Sequence, residues 1–195
     1  MIKKIILPLL LVAISMVSTG CSTMHMGWTA VTQQHKLDDG AMEAYDNMFT
    51  KVTEYGDPAR AMMREFKVSE DVTNEDVAES IHSLAASYNM RITGDIKMYT
   101  KEDAAPEEVK HARIFSLCSL HIAKVFLNHS RYYGGFMPCR IMLVEYGNGD
   151  RFLITMDMTL AIHGGFPLPD EMLEMGLKVK KAMEEIPARA AEGDF

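Results

Sequence analysis

Met90-Arg91-Ile92-Thr93-Gly94-Asp95-Ile96-Lys97-Met98-Tyr99 is the stretch that decides the fold class. Apolar or small residues alternate with polar ones along it, the two-residue period of a strand with one face buried. Just upstream the period changes. Thr73 and Asp76 form a helix-opening pair, and Val77, Ile81, Leu84, Ala85 and Tyr88 then recur at intervals of three and four. Before that helix, Met62, Phe66 and Val68 mark a strand, with Arg64 a polar member on the same face. Downstream, an acidic linker around Pro106 leads to a strand over residues 111–118, and Ser119 caps a helix over 120–128. Tyr133-Gly134-Gly135 breaks the chain before a strand over 139–146, and Asn148-Gly149 signals a tight hairpin into a strand over 151–156. After Pro167 and Pro169, a last helix carries Met172, Met175, Val179, Met183 and Ile186 on one stripe. The order strand, helix, strand, strand, helix, strand, strand, helix predicts an α+β domain. Its sheet is single and mostly antiparallel, with about five strands and helices on one face.

Ahead of this domain, Ala41, Ala44, Tyr45, Met48, Phe49 and Val52 form one helical face, and Gly56-Asp57-Pro58 stops the helix. An extra N-terminal helix is therefore expected over residues 41–58, and the domain proper over 60–195. Residues 21–40 are polar and without period, and read as a flexible tether.

The chain has 195 residues, 48% apolar and 24% charged, with a formal net charge of −7. That apolar share is enough for one ordinary core. The acidic balance argues against nucleic acid as a partner, because such binding draws on basic patches. The 17 methionines stand out. Most fall on the helix stripes and strand faces above, where methionine is an adaptable core filler.

Residues 1–20 read as a secretory signal. Lys3 and Lys4 precede an apolar run over 5–14 that is too short to span a bilayer as a helix. The stretch closes on Val17-Ser18-Thr19-Gly20-Cys21, which resembles the lipobox of bacterial lipoproteins. The resemblance implies cleavage before Cys21 and lipidation of that cysteine. Ser22 after it implies sorting to the outer membrane, with the domain facing the periplasm.

Four local patterns in the domain resemble a single family. They are Phe115-Ser116-Leu117-Cys118 running into a helix, Met137-Pro138-Cys139-Arg140 opening a strand, the Asn148-Gly149 hairpin, and His163-Gly164-Gly165. Together with the element order they resemble the domain of unknown function 302 family over residues 60–195. The resemblance implies a small α+β bacterial domain, often dimeric, and carries no site residues with it. A sheet covered by helices on one face independently favours a homodimer that covers the other face or an edge.

Cys118, Cys139, Arg140 and His163 are the candidate ligand-binding residues. They supply soft sulfur, a positive fork and an imidazole, and they lie near strand ends and glycine breaks. Arg113 is a further cation that lines an anion site in one reading and the exposed sheet in the other. Cys118 ends one strand and Cys139 opens the next across a helical crossover. Parallel pairing of those strands sets the two thiols at opposite ends of the sheet, beyond the ~4.4–6.8 Å between Cα atoms that a disulfide spans. Two free thiols are then expected, with a disulfide as the alternative. His163 is expected on a loop after an apolar strand, either as a hydrogen-bonding cap or as a metal or proton site. Met24-His25-Met26 carries soft donors on the tether and is the candidate metal segment, suited to copper. The other histidines show no ligand spacing. There is no HExxH, CxxC, phosphate-loop or nucleophile-elbow pattern, and no cofactor is indicated.

With an anchor but no catalytic constellation, the sequence favours a lipid-anchored periplasmic binding or assembly module. Such a module holds a small ligand, a metal or a partner protein. The alternatives are a thiol- or histidine-dependent redox protein or enzyme, and a copper-handling lipoprotein using the Met-His-Met segment.

Overall fold

The computed structural model describes residues 21–195. The signal expected over residues 1–20, and the side chain of Cys21, lie outside the described residues. The chain begins with helix α1 (Cys21–Gln33) and a 3-10 turn, Gln34–Lys36. This corrects the reading of residues 21–40 as a flexible tether. The helix escapes detection by period because it buries nothing. Met24, Met26, Trp28 and Val31 are between 63 and 71% exposed, so no apolar stripe is required of them.

Helix α2 (Ala41–Tyr55) follows as expected. It ends at Gly56, whose φ of 65° is the left-handed C-cap that glycine adopts without strain. Asp57 then caps a short helix, α3 (Pro58–Met62), by accepting from the Ala59 amide at 2.8 Å. The first strand, β1 (Met63–Lys67), therefore starts later than its apolar pattern suggests.

The remaining elements are α4 (Asn74–Ser87), β2 (Arg91–Thr100), β3 (Val109–Cys118), α5 (Leu120–His129), a 3-10 segment Arg131–Phe136, β4 (Cys139–Tyr146), β5 (Arg151–Met156), α6 (Thr159–His163) and α7 (Asp170–Ala191). Thr73 and Asp76 make the reciprocal capping box that starts α4. The strands form one five-stranded sheet in the order β1-β5-β4-β3-β2, and every neighbouring pair is antiparallel. The expected parallel relation of β3 and β4 is thus overturned. Helix α5 returns the chain to the end of the sheet it has just left, and β4 runs back beside β3 with Leu117 opposite Cys139.

Helices α4 and α7 cover one face of the sheet. Phe115, Leu117, Ile141, Leu143 and Leu153 point into this layer and meet Val77, Ile81, Leu84, Met183 and Ile186, all essentially inaccessible to solvent. A smaller apolar cluster of Phe126, Ile162, Leu168 and Met172 joins α5, α6 and α7. Arg64 is explained by its place on the covered face, where it pairs with Asp157 at 3.3 Å and Glu184 of α7 at 2.9 Å.

Strand β2 departs from the simple alternation. Ile92 stands opposite Leu117, but Gly94 stands opposite Ser116, so Thr93 is an extra residue in a bulge. Beyond a one-residue slip every side chain changes face. Asp95 and Lys97 therefore turn toward α4, where Asp95 meets His82 at 2.9 Å and Lys97 meets Glu75 at 3.0 Å. Ile96 and Met98 turn outward and are 58 and 59% exposed. Ile96, Ile114, Met142 and Ile154 form a continuous apolar row across four strands on the face opposite α4 and α7.

His111 and Asp95 are two of the groups that tie stability to pH. His111 is 8% exposed, its Nε2 has no partner among the described residues, and burial pushes its pKa below the ordinary 6.5. Asp95 receives hydrogen bonds from Arg113 at 2.7 and 2.9 Å, which hold its carboxyl below the ordinary 3.8. In both cases the folded chain binds the proton less readily than the unfolded chain, so stability rises with pH. Urea midpoints measured on acidification from about pH 7 should fall first below 6.5 and again from 4.5 down through 3.8. His111→Gln should remove the upper step, and Asp95→Asn should reduce the lower one, which Glu75, Glu145 and Asp157 share.

Candidate ligand pocket

The antiparallel order brings a terminus of every strand to one end of the sheet, and the start of β2, the end of β3, the start of β4 and the end of β5 lie side by side there. Helix α5 and the 3-10 segment Arg131–Phe136 close over this end, with α6 and α7 behind. Between them lies a pocket that opens to solvent and has a cavity volume of about 60 Å³. Its walls are Ile122, Ala123 and Phe126 from α5, Tyr133 and Phe136 from the 3-10 segment, Ala161 and Ile162 from α6, and Gly176 and Val179 from α7. Met90, Cys118, Ser119, Met137, Cys139 and Met158 complete it from the strand ends.

The aromatic wall is ordered by edge-on packing of Tyr133 on Phe126, with ring centroids 5.0 Å apart. The opposite wall is bare helix. A Cβ at Gly176 would stand 3.3 Å from Phe126 Cζ and 3.5 Å from Ile162 Cγ1, so any larger residue there projects into the lining. A cavity of this size with an apolar lining and an open mouth suits a single ion or the small apolar end of a ligand.

Of the four candidate residues, the fold brings Cys118 and Cys139 together in this pocket, both as free thiols. Burial pushes the Cys139 thiol up to about 11, and burial raises Cys118 as well. Both are therefore protonated at neutral pH, whereas nucleophilic and redox cysteines are poised as thiolates. Arg140 alternates to the other face of β4 and is exposed there, lining a groove with Ile114, Met142 and Ile154. Arg113 is taken up by Asp95 and Glu75.

His163 does not sit on a loop after a strand. It ends the short helix α6, and its Nδ1 lies 2.8 Å from Asp38 Oδ1. Around it the Asp38 amide donates to the Gly165 carbonyl at 2.9 Å, the Tyr45 hydroxyl donates to the Gly164 carbonyl at 2.8 Å, and the Gly40 amide donates to Asp38 Oδ1 at 2.9 Å. The Gly40 amide, followed by His163, holds the Asp38 carboxyl below its usual range. His163-Gly164-Gly165 is thus a clasp on the N-terminal segment. Met24 and Met26 lie two apart on α1, and side chains at that spacing do not share a helix face. The expected wrapping of an ion by that segment does not fit this backbone. Among the described residues no three His, Cys, Asp or Glu side chains are grouped to hold a metal. No helix among them is long and apolar enough to cross a membrane.

Asp38 escaped the sequence reading because it lies 125 positions from its partner. Met137 and Met158 escaped as pocket walls because each stands at a strand end, outside the stripes that periodicity detects, and Met90 read only as the first core position of its strand. The model for the domain of unknown function DUF302 matches residues 65–186. The chain belongs to the DUF302 family. Its fold is similar to that in the crystal structure of an uncharacterized conserved DUF302 protein from Bacillus stearothermophilus. The two share 14% identity with a TM-score of 0.51, over 66% of this chain and 98% of that one. No curated protein matches the chain. The pocket lies wholly within the DUF302 region, whereas the clasp joins that region to a segment before it.

Proposed function

We propose that this chain is a lipid-anchored binding module of the bacterial cell envelope, held at the periplasmic face of the outer membrane through Cys21. Its DUF302 domain presents the pocket under α5 to a small ligand. The observation that carries the reading is the pocket itself, a small cavity open to solvent and walled by apolar side chains at the convergence of four strand ends. The signal-like residues 1–20 and the small residues before Cys21 support the anchor. The experiment is a fluorescence titration of the mature chain with the apolar probe 1-N-phenylnaphthylamine. Saturable binding is expected in the wild type and its loss in Gly176→Leu, with circular dichroism confirming that the variant folds. Absence of saturable binding, or equal binding by a folded variant, would count against the pocket.

We also propose that two copies associate through the open sheet face. The row Ile96, Ile114, Met142 and Ile154 supports this, since an apolar face of this kind calls for cover. Sedimentation at micromolar concentration should return a dimer for the wild type and a monomer for Met142→Glu. A wild-type monomer would sink the idea.

A further inference from the structure

Five sulfur-bearing side chains line the pocket: Met90, Cys118, Met137, Cys139 and Met158. We propose that this pocket is a site for one soft monovalent metal ion, Cu(I), bonded by the sulfurs of Cys118 and Cys139 with thioether support from the surrounding methionines. The proposal rests on the reading of the pocket as the ligand site and names the chemical class of what it takes.

Topology brings the chain positions to one sheet end; Cys139 shares the face of Leu117, Cys118 follows Leu117 as the last residue of β3, and both line the pocket where α5 begins. Arg91 stands opposite Cys118, and Leu117 stands opposite Cys139. Met90, the residue before Arg91, and Cys118 are thereby set at one sheet end, and Cys139 joins them from the adjoining strand. Met158 follows β5 at the same end and packs against both apolar clusters, and Met137 leads into β4. Met90 is 5% exposed, so its thioether is part of the interior.

The donor set selects the ion. Thiolate and thioether together suit Cu(I), which is soft and tolerates two or three ligands. The lining holds no histidine and no carboxylate, the groups that complete zinc sites beside cysteine. Two cysteines fall short of the four thiolates of an iron–sulfur cluster. Calcium and magnesium require oxygen ligands that an apolar wall does not offer. On binding, two S–H bonds are lost, two S–Cu bonds form and two protons pass to solvent. No electron is transferred, and the single charge of the ion offsets one of the two thiolate charges. The Met24-His25-Met26 segment is not needed, since its two methionines do not share a helix face.

The test is a titration of the reduced, full mature chain with Cu(I) against a chromophoric Cu(I) chelator under anaerobic conditions. One Cu(I) per chain is expected, with a sulfur-only coordination shell by X-ray absorption. Cys118→Ser with Cys139→Ser should lower the apparent affinity at least about 100-fold, more than loss of a group that merely orients a ligand. Met24→Leu with Met26→Leu should leave it unchanged. Should the double serine variant fail to fold, the wild type still answers, because bound Cu(I) must protect both Cys118 and Cys139 from iodoacetamide in peptide mapping. No uptake, unchanged affinity in the folded double variant, unprotected thiols, or loss of binding with the Met24 and Met26 changes would each overturn the proposal. Binding of 1-N-phenylnaphthylamine without Cu(I) uptake would remove the metal and leave the binding module standing.

Discussion

Phe115→Ala is expected to lower the unfolding free energy by about 3–5 kcal/mol, the usual cost of emptying a buried aromatic site. Phe115 is 0% exposed at the centre of the sheet, with Ile141 opposite it on β4 and Asp95 opposite it on β2. Its ring also meets His82 edge-on at 6.3 Å and lies under the Arg113 guanidinium at 5.1 Å. Truncation therefore opens a cavity and removes the apolar platform beneath the Asp95–Arg113 pair. Domains carry only about 5–15 kcal/mol in total, so the variant should sit near the edge of folding. Urea denaturation gives the comparison, and Tyr132→Ala is the control. Tyr132 is 75% exposed, and its loss should shift the midpoint little. A Phe115→Ala midpoint within error of wild type would show that the core around α4 and α7 does not hold the sheet as described.

Cys21→Ser is the second large effect, and it concerns location rather than stability. In the proposed anchor, several acyl chains each contribute about 0.8 kcal/mol per buried methylene, which makes membrane attachment persistent. Serine offers no thiol for lipid attachment, so the variant should move from the membrane fraction to the soluble fraction while keeping the wild-type melting curve. The unchanged melt is expected because the large apolar residues of α1 are exposed. Equal membrane retention of both proteins would overturn the anchor.

The element order was legible in the sequence because most elements bury one face. The Thr73–Asp76 capping box, the Met172–Ile186 stripe and the Asn148-Gly149 turn each declare themselves within a few residues. Two things were not legible, for different reasons. Thr93 inverts β2 by one extra residue, and alternation looks the same on either side of a bulge, so Ile96 and Met98 read as core although they face outward. Pairing direction was also hidden. The α5 connection suits a crossover or a return, and only the tertiary packing of α5 over the sheet end selects the return that makes Cys118 and Cys139 neighbours. The candidate site was half visible for the same reason. Sulfur chemistry singled out the two cysteines, but Arg140 leaves them by strand alternation and His163 by its bond to Asp38.

The clasp at Asp38 has a consequence for geometry at the membrane. With attachment proposed at Cys21, the 13 residues of α1 form a strut of about 20 Å at 1.5 Å per residue. Because Asp38 and Tyr45 are bonded to His163, Gly164 and Gly165, the chain just after the strut is fastened to the DUF302 domain by a seam. In the proposed anchor, the reach of the domain from the bilayer is then limited to what residues 21–37 span. Loosening the seam, as His163→Ala would, lengthens the reach of the pocket without altering the pocket.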